Sequence, residues 1–345
     1  MPVTEVINKN EPGRQRLSVQ RLDAWRELEY GMFIHYGLAT FEQATKDRLP
    51  TPQQYAPTCL DVDQWVRVAR DAGMKYIILT AQHILDGGFC LWHTDLTDFS
   101  VRHATETTDV VGAFVEACER HGIRPALYLG GDRYNVPDGL VRNPGMGQFF
   151  YATREYLNFL KAQIEELLTR YGRIEEVWID GPAKFGVPGR TELCEQIGAL
   201  QPDAVVVMNG SWEDNGREPR VKPQTWPSDI LGIELGVPPI WGTGREDCSN
   251  WRALRWDPLG RPVEDPLPYY MPMEVVTLAN TGPQGWHWGP EARARSSDEL
   301  LAVRLLCKAR NANCVFNVPP DRTGRIAYEY VQVLSDVQRR WEGLD

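Results

Sequence analysis

The sequence predicts an α/β protein folded as a (β/α)8, TIM-like barrel. Three observations carry that expectation. Short apolar runs alternate with amphipathic helical patterns, the signature of a parallel sheet. The runs add up to eight along the chain. The first of them leads into HYGLATF rather than into the glycine-rich phosphate loop of a doubly wound sheet.

The first run is residues 31–36 (GMFIHY). A helix over 61–72 (DVDQWVRVARDA) follows, with Asp61 placed to cap its start and Gly73 its end. The second run is 75–81 (KYIILTA). The helix over 109–121 (DVVGAFVEACERH) stops at Gly122 and leads to the third, 124–129 (RPALYL). A longer helix spans 151–171, with Tyr156, Leu157, Leu160, Ile164, Leu167 and Leu168 on one face, and ends at Gly172. The fourth run is 175–180 (EEVWID) and the fifth 204–209 (AVVVMN). Weaker runs lie near 230–235 and 273–277, and 314–318 (CVFNV) is the last. Residues 211–272, rich in Pro, Gly and Trp, read as long loops over one face of the barrel. The expected organisation is an N-terminal extension over 1–24 and a single barrel domain over 25–345.

The bulk properties exclude several function classes. Of the 345 residues, 42% are hydrophobic, enough for a large core. A formal charge of −10 argues against nucleic acid or an anionic membrane as the main partner. The start, MPVTEVINKNEPGRQRL, has no apolar stretch of the kind a signal peptide needs, and no run reaches transmembrane length. The seven cysteines are scattered and never spaced CxxC, so they read as reduced thiols of a cytoplasmic protein. Whether the chain forms a homo-oligomer is left open.

If the barrel is right, side chains at the carboxyl ends of its strands converge on one mouth. Those are His35; Gln82, His83 and Asp86; Tyr128 and Asp132; Trp178 and Asp180; Asn209 and Trp212; Glu274; and Asn317. Acids, imidazoles and aromatics at one rim suit a small carbohydrate, because rings stack on the apolar faces of pyranoses while acids act on hydroxyls and the anomeric carbon. Each residue also has a structural reading. Asp180 before Gly181 can be a turn residue, His35 a core histidine, Trp178 a core aromatic, Glu274 a helix-start acid and Asn317 a turn residue. No metal and no cofactor is expected. A metal-dependent barrel hydrolase draws on clustered imidazoles, whereas the first strand here has one histidine, and His83, His93, His103, His121 and His287 show no ligand spacing. No GxSxG elbow is present. Two carboxylates acting without metal are the chemistry these residues support best.

At that point the sequence resembles a known family. The runs WRELEYGMFIHYGLATF, LDVDQWVRVARDAGMKYIILTAQH, GGFCLWHTDLTDFSV, YLNFLKAQIEELLTRYGRIEEVWIDG, YYMPMEVVTLANTGPQGWHW and ARNANCVFNVPPDRTGRI are similar, in that order, to glycoside hydrolase family 29, the retaining α-L-fucosidases. The likeness covers most of residues 25–341, with a gap at roughly 185–265. Its PME and NVPPDRTG segments resemble the subfamily associated with α-1,3/1,4-linked fucose. The resemblance implies a catalytic barrel and a retaining exo-glycosidase. It implies Asp180 as nucleophile and Glu274 as acid/base, and His35, His83, Tyr128 and Trp178 as contacts to the sugar. Trp286 or Trp288 would lie against the sugar's methyl group.

Departures qualify that expectation. The family's Lys-His-His-Asp-Gly-Phe run is here Gln82-His83-Ile84-Leu85-Asp86-Gly87-Gly88-Phe89, one histidine short and two residues longer. Ser211 precedes Trp212 where many relatives have arginine, and the loop after the first strand is TFEQATKDRLPTPQQY. The family's C-terminal β-sandwich is expected to be absent. The sugar is therefore either fucose held partly by new loop residues, such as Asp86, Asp132 or Glu246, or a related L- or 6-deoxy sugar. A barrel that binds sugar without cleaving it is the remaining alternative.

Overall fold

The computed structural model describes residues 16–45, 47–131, 152–210, 227–234, 251–253, 268–283 and 285–344. Eight parallel strands form a nearly closed barrel: β1 (Tyr30–Ile34), β2 (Tyr76–Gln82), β3 (Arg124–Gly130), β4 (Glu176–Asp180), β5 (Val205–Met208), β6 (Leu231–Glu234), β7 (Met273–Leu278) and β8 (Ala312–Asn317). The hydrogen-bonded order is β5-β4-β3-β2-β1-β8-β7-β6. All eight expected runs are strands, their ends moved by one or two residues. The last gap is closed from the side. Val206 N donates to Asp229 Oδ2 and Asp229 N to Val206 O, both at 2.8 Å, and Ser228 Oγ donates to Ile230 O.

Helices α2 (Val62–Asp71), α3 (Val110–His121), α4 (Arg154–Arg170), α5 (Gly186–Leu200), α6 (Ser297–Ala309) and α7 (Tyr328–Glu342) wrap the barrel, after a first helix α1 (Val19–Arg26). The caps expected at Asp61 and Gly122 are present, and Asp109 and Thr153 add two more. The side chains of Asp61, Asp109 and Thr153 accept backbone N–H bonds at the starts of α2, α3 and α4, and Gly122 closes α3 in the left-handed conformation. No helix among the described residues is long and apolar enough to cross a membrane. Among those residues no disulfide forms, and Cys90, Cys118, Cys194, Cys307 and Cys314 are buried thiols.

Strand parity divides the core in two. Met32 and Ile34 of β1, Ile77 and Leu79 of β2 and Val275 of β7 face outward against the helices, in one large cluster with Trp65, Phe114 and Leu160. Phe33, Tyr76, Ile78, Tyr128, Trp178, Val276 and Val315 face inward and fill the barrel. Each fully buried side chain of this size contributes about 1.5–3 kcal/mol. On β4 the inward positions are Glu176, Trp178 and Asp180, one above the other from the amino end to the carboxyl end.

The amino end is plugged by α1. Leu22 and Trp25 join the inner core, Arg21 pairs with Glu175, and Arg16 pairs with Asp229. Residues 16–24, expected within an extension, thus pack as the floor of the barrel.

Candidate active site

Asp180 is the last residue of β4, half-buried at the carboxyl end of the barrel. Gly181 follows at φ 58, a left-handed conformation that glycine adopts without strain, and this turn aims the carboxylate across the mouth. Three donors hold it. Tyr128 Oη donates to Oδ2 at 2.5 Å, while Gly181 N at 2.8 Å and Asn209 Nδ2 at 2.6 Å donate to Oδ1. Burial, and then the Asp180 charge, raise the Tyr128 hydroxyl well above its usual pKa, so it remains a donor.

Asn209 has a second acceptor. Its Nδ2 also donates to Glu234 Oε1 at 2.7 Å. Glu234 ends β6 on the inward parity, so one amide joins two carboxyl groups from strands on opposite sides of β5. Two of their oxygens therefore stand within the sum of those two bonds of each other. Glu234 opens to the mouth, but neighbouring protein crowds its carboxyl. Desolvation, and then the charge on Asp180, push its pKa up to about 8. Sequence reasoning did not single out Glu234. The signal was present in ILGIE, a short apolar run ending in an acid as EVWID does, although Leu235 stands between this acid and the next glycine.

The opposite wall is imidazole and aromatic. The His35 ring stacks on Trp286 with centroids 4.9 Å apart, and His83 stacks on Tyr128 at 5.5 Å. His35 Nδ1 bonds to Asn317 Oδ1 at 2.7 Å, and Asn317 Nδ2 donates to Trp286 O at 2.8 Å, which ties β8 to the Trp286 turn. Burial, followed by the neighbouring His83 and His287, holds His35 well below its usual pKa, so the ring is neutral. Asp86 is fully buried, and its Oδ1 accepts from Ala39 N at 2.6 Å. His287, set aside for lack of sequence spacing, packs against both His35 and His83. His83, Asp86 and His287 place one ligand-type atom each within 4.8 Å of one another.

Not every expected residue reaches the mouth. Glu274 is the second residue of β7, in register with Gly232 of β6 and Asn313 of β8, near the amino end. It is fully buried and accepts from Tyr76 Oη at 2.6 Å and Trp178 Nε1 at 3.0 Å. Beside it is Glu176, which accepts from Trp25 Nε1 at 2.7 Å and Trp178 Nε1 at 2.5 Å. Burial raises both acids, Glu274 to about 7 and Glu176 well above the carboxylate range. Glu274 thus sits on the floor, because an inward side chain at the second position of a strand lies at the end opposite the mouth. Trp178, fully buried, turns its indole N–H down to that pair and packs against Phe33 inside the barrel. Trp288 is half-buried, with the Arg322 guanidinium 5.9 Å from its ring. Trp212, Asp132 and Glu246 lie outside the described residues.

A family model described as Alpha-L-fucosidase matches residues 42–219, more than half of the chain. The chain belongs to that family. Alpha-L-fucosidase 1 of Arabidopsis thaliana is 30% identical over 90% of this chain and 58% of its own length. A putatively named rice relative from Oryza sativa subsp. japonica is 30% identical over 90% of this chain and 56% of its own. The chain thus spans a little over half the length of these curated relatives. Among solved structures, a glycoside hydrolase 29 family member from an unknown rumen bacterium aligns with TM-score 0.70 at 25% identity, over 93% of this chain and 56% of that one. Alpha-L-fucosidase isoenzyme 1 from Paenibacillus thiaminolyticus aligns with TM-score 0.71 at 23% identity, over 94% and 75%. A Bacteroides thetaiotaomicron alpha-L-fucosidase trapped as a covalent intermediate with 2-fluoro-fucosyl fluoride aligns at 0.73 and 18%, over 97% and 76%. The last two bear on the fold alone, and they agree with the barrel described above.

Proposed function

We propose that this chain is a retaining exo-glycosidase that hydrolyses terminal α-L-fucosyl glycosides, or those of a closely related L- or 6-deoxy sugar. Asp180 is the nucleophile and Glu234 the acid/base. The observation that carries this reading is the Asn209 amide, donating at 2.6 Å to Asp180 and at 2.7 Å to Glu234. Two carboxyl groups held that close suit retention, for which a separation of about 5–5.5 Å is typical, better than inversion, which needs room for a water between them.

The chemistry follows from the positions. Asp180 attacks the anomeric carbon as the glycosidic bond breaks, and Glu234 gives its proton to the departing oxygen. A carboxyl raised to about 8 is protonated at neutral pH and ready to do so. After departure the same group, now ionised, takes a proton from water, which attacks the glycosyl-Asp180 ester. Tyr128 and Asn209 hold Asp180 in line, and Trp286 stacked on His35 offers an apolar face to the ring or its methyl group. Glu274, expected in the acid/base role, is assigned here to the floor, where its partners are Tyr76, Trp178 and Glu176.

The relatives' printed names support the fucosyl substrate, and the altered 82–89 run is the reason to keep other 6-deoxy sugars in view. The test is incubation with 2-fluoro-fucosyl fluoride followed by peptide mass spectrometry, beside turnover of p-nitrophenyl α-L-fucoside. An adduct on the peptide carrying Asp180 is the expected result. Turnover with an adduct on any other acid would overturn the nucleophile assignment. No turnover and no adduct with any 6-deoxy glycoside would overturn the activity.

A further inference from the structure

His287 is a fully buried imidazole, and neither of its ring nitrogens has a hydrogen-bond partner. Asp86 Oδ2, also buried and without a partner, stands 3.7 Å from His287 Nε2. That separation is too long for a hydrogen bond between them. His83 closes the group, its ring centroid 5.1 Å from that of His287. A buried polar group left without a partner costs about 1–3 kcal/mol, and native proteins keep few of them. With one atom each of His83, Asp86 and His287 within 4.8 Å of one another, next to the His35–Trp286 stack, the cluster marks a place able to receive a polar group.

Two imidazoles and a carboxylate are also the donor set of a transition-metal centre. The hydrogen bonding argues against it. The Nδ1 lone pair of His83 accepts the Leu85 amide hydrogen at 3.1 Å, so the neutral ring carries its own hydrogen on Nε2 and can donate there but not ligate. What converges is then one donor from His83, one acceptor from Asp86, and one ring nitrogen of His287, which donates or accepts according to its tautomer. A hydroxyl group matches that set, since it gives one hydrogen and accepts others. An oxygen can lie within hydrogen-bond reach of two atoms 3.7 Å apart without standing between them.

We propose that His287, with Asp86 and His83, forms a hydroxyl-recognition subsite for the sugar whose anomeric carbon is presented to Asp180. The subsite rests on the glycosidase reading above and adds to it a residue that selects among sugars. A sugar keeping the hydroxyl that reaches this point is accepted, and one lacking it leaves buried donors and acceptors unmet.

The experiment measures coupling between one side chain and one hydroxyl. L-Fucose and its 2-, 3- and 4-deoxy analogues are titrated calorimetrically into wild type, His287→Ala and His287→Gln, with p-nitrophenyl α-L-fucoside turnover followed in parallel. One deoxy analogue should bind wild type about ten- to a hundredfold more weakly than L-fucose. The same deletion should cost nothing in His287→Ala, and His287→Gln should recover part of the difference. Unchanged deoxy penalties in His287→Ala would overturn the subsite, including where that variant merely melts earlier. About one equivalent of tightly bound zinc in wild type, lost in His287→Ala, would overturn it too. If wild type neither turns over the fucoside nor binds L-fucose, the fucosidase reading fails, and the subsite is tested by thermal shift with methyl glycosides of a hexose panel. Stabilisation of wild type that disappears in His287→Ala then sustains it, and no stabilisation by any of them overturns it.

Discussion

The barrel holds two pairs of carboxyl groups, one at each end, and they differ in what surrounds them. At the mouth, Asp180 and Glu234 share the Asn209 amide, and Glu234 opens to solvent. On the floor, Glu176 and Glu274 share the Trp178 indole, both sealed beneath the inner core and capped by Trp25. Each pair has an acid raised by desolvation, to about 8 for Glu234 and about 7 for Glu274. A raised pKa alone therefore does not identify a catalytic acid. Exposure at the mouth separates the two pairs, and of these two only the upper one has it. The lower pair anchors Trp178 and α1, which supports the barrel from below.

The comparison is tested most strongly at Asp180. Asp180→Ala should lower kcat/KM on p-nitrophenyl α-L-fucoside by on the order of 10⁴-fold or more, with the melting temperature little changed. Glu234→Ala should cost about 10²–10⁴-fold, and added azide should restore part of the rate. The pH profile sharpens this. With Glu234 as the proposed acid, kcat/KM should fall as pH rises through about 8, and that limb should vanish in Glu234→Gln.

The floor pair should respond in stability instead. Glu274→Ala breaks a buried network and should cost about 3–5 kcal/mol of unfolding free energy in denaturant titrations, while the folded fraction keeps its turnover within about tenfold. Collapse of kcat at unchanged stability would reverse the assignment of the two pairs. Wild-type stability should also drift with pH. Folding raises Glu274 from its ordinary 4.5 to about 7, so between those values the folded state binds more protons than the unfolded one. Its contribution is complete below 4.5 and is lost as pH climbs through about 7; Glu274→Gln should flatten that slope. The smallest expected effect is at Tyr128. Tyr128→Phe removes one of three donors to Asp180 and should lower kcat/KM about five- to tenfold.

Much of this was legible in the chain. The eight runs, the cap at Asp61, the stop at Gly122 and the inward stripe of α4 follow from periodicity and local chemistry, which act within a turn or two and need no partner. Asp180 could be read from EVWIDG because strand, acid and glycine are contiguous. Glu234 also ends an apolar run, but Leu235 separates it from Gly236 and its strand is four residues long and bounded by loop-like sequence, so its end was indistinct. Glu274 was read to the wrong end for a related reason. An acid beside Val-Val shows that it faces inward, while its height in the barrel depends on where β7 begins and on its pairing with β6 and β8. The 82–89 run keeps only one histidine, and the second imidazole beside it comes from His287, a position that no local spacing could connect to it.

The sequence by itself determined the barrel, the parity of each strand and the family likeness, because these depend on composition and on periods of two and 3.6 that neighbouring residues set. The tertiary structure decided which acids meet, which imidazoles cluster and which end of the barrel each one faces. Those depend on strand register and on contacts between segments far apart in the chain, and desolvation and shared hydrogen bonds act only once such contacts exist.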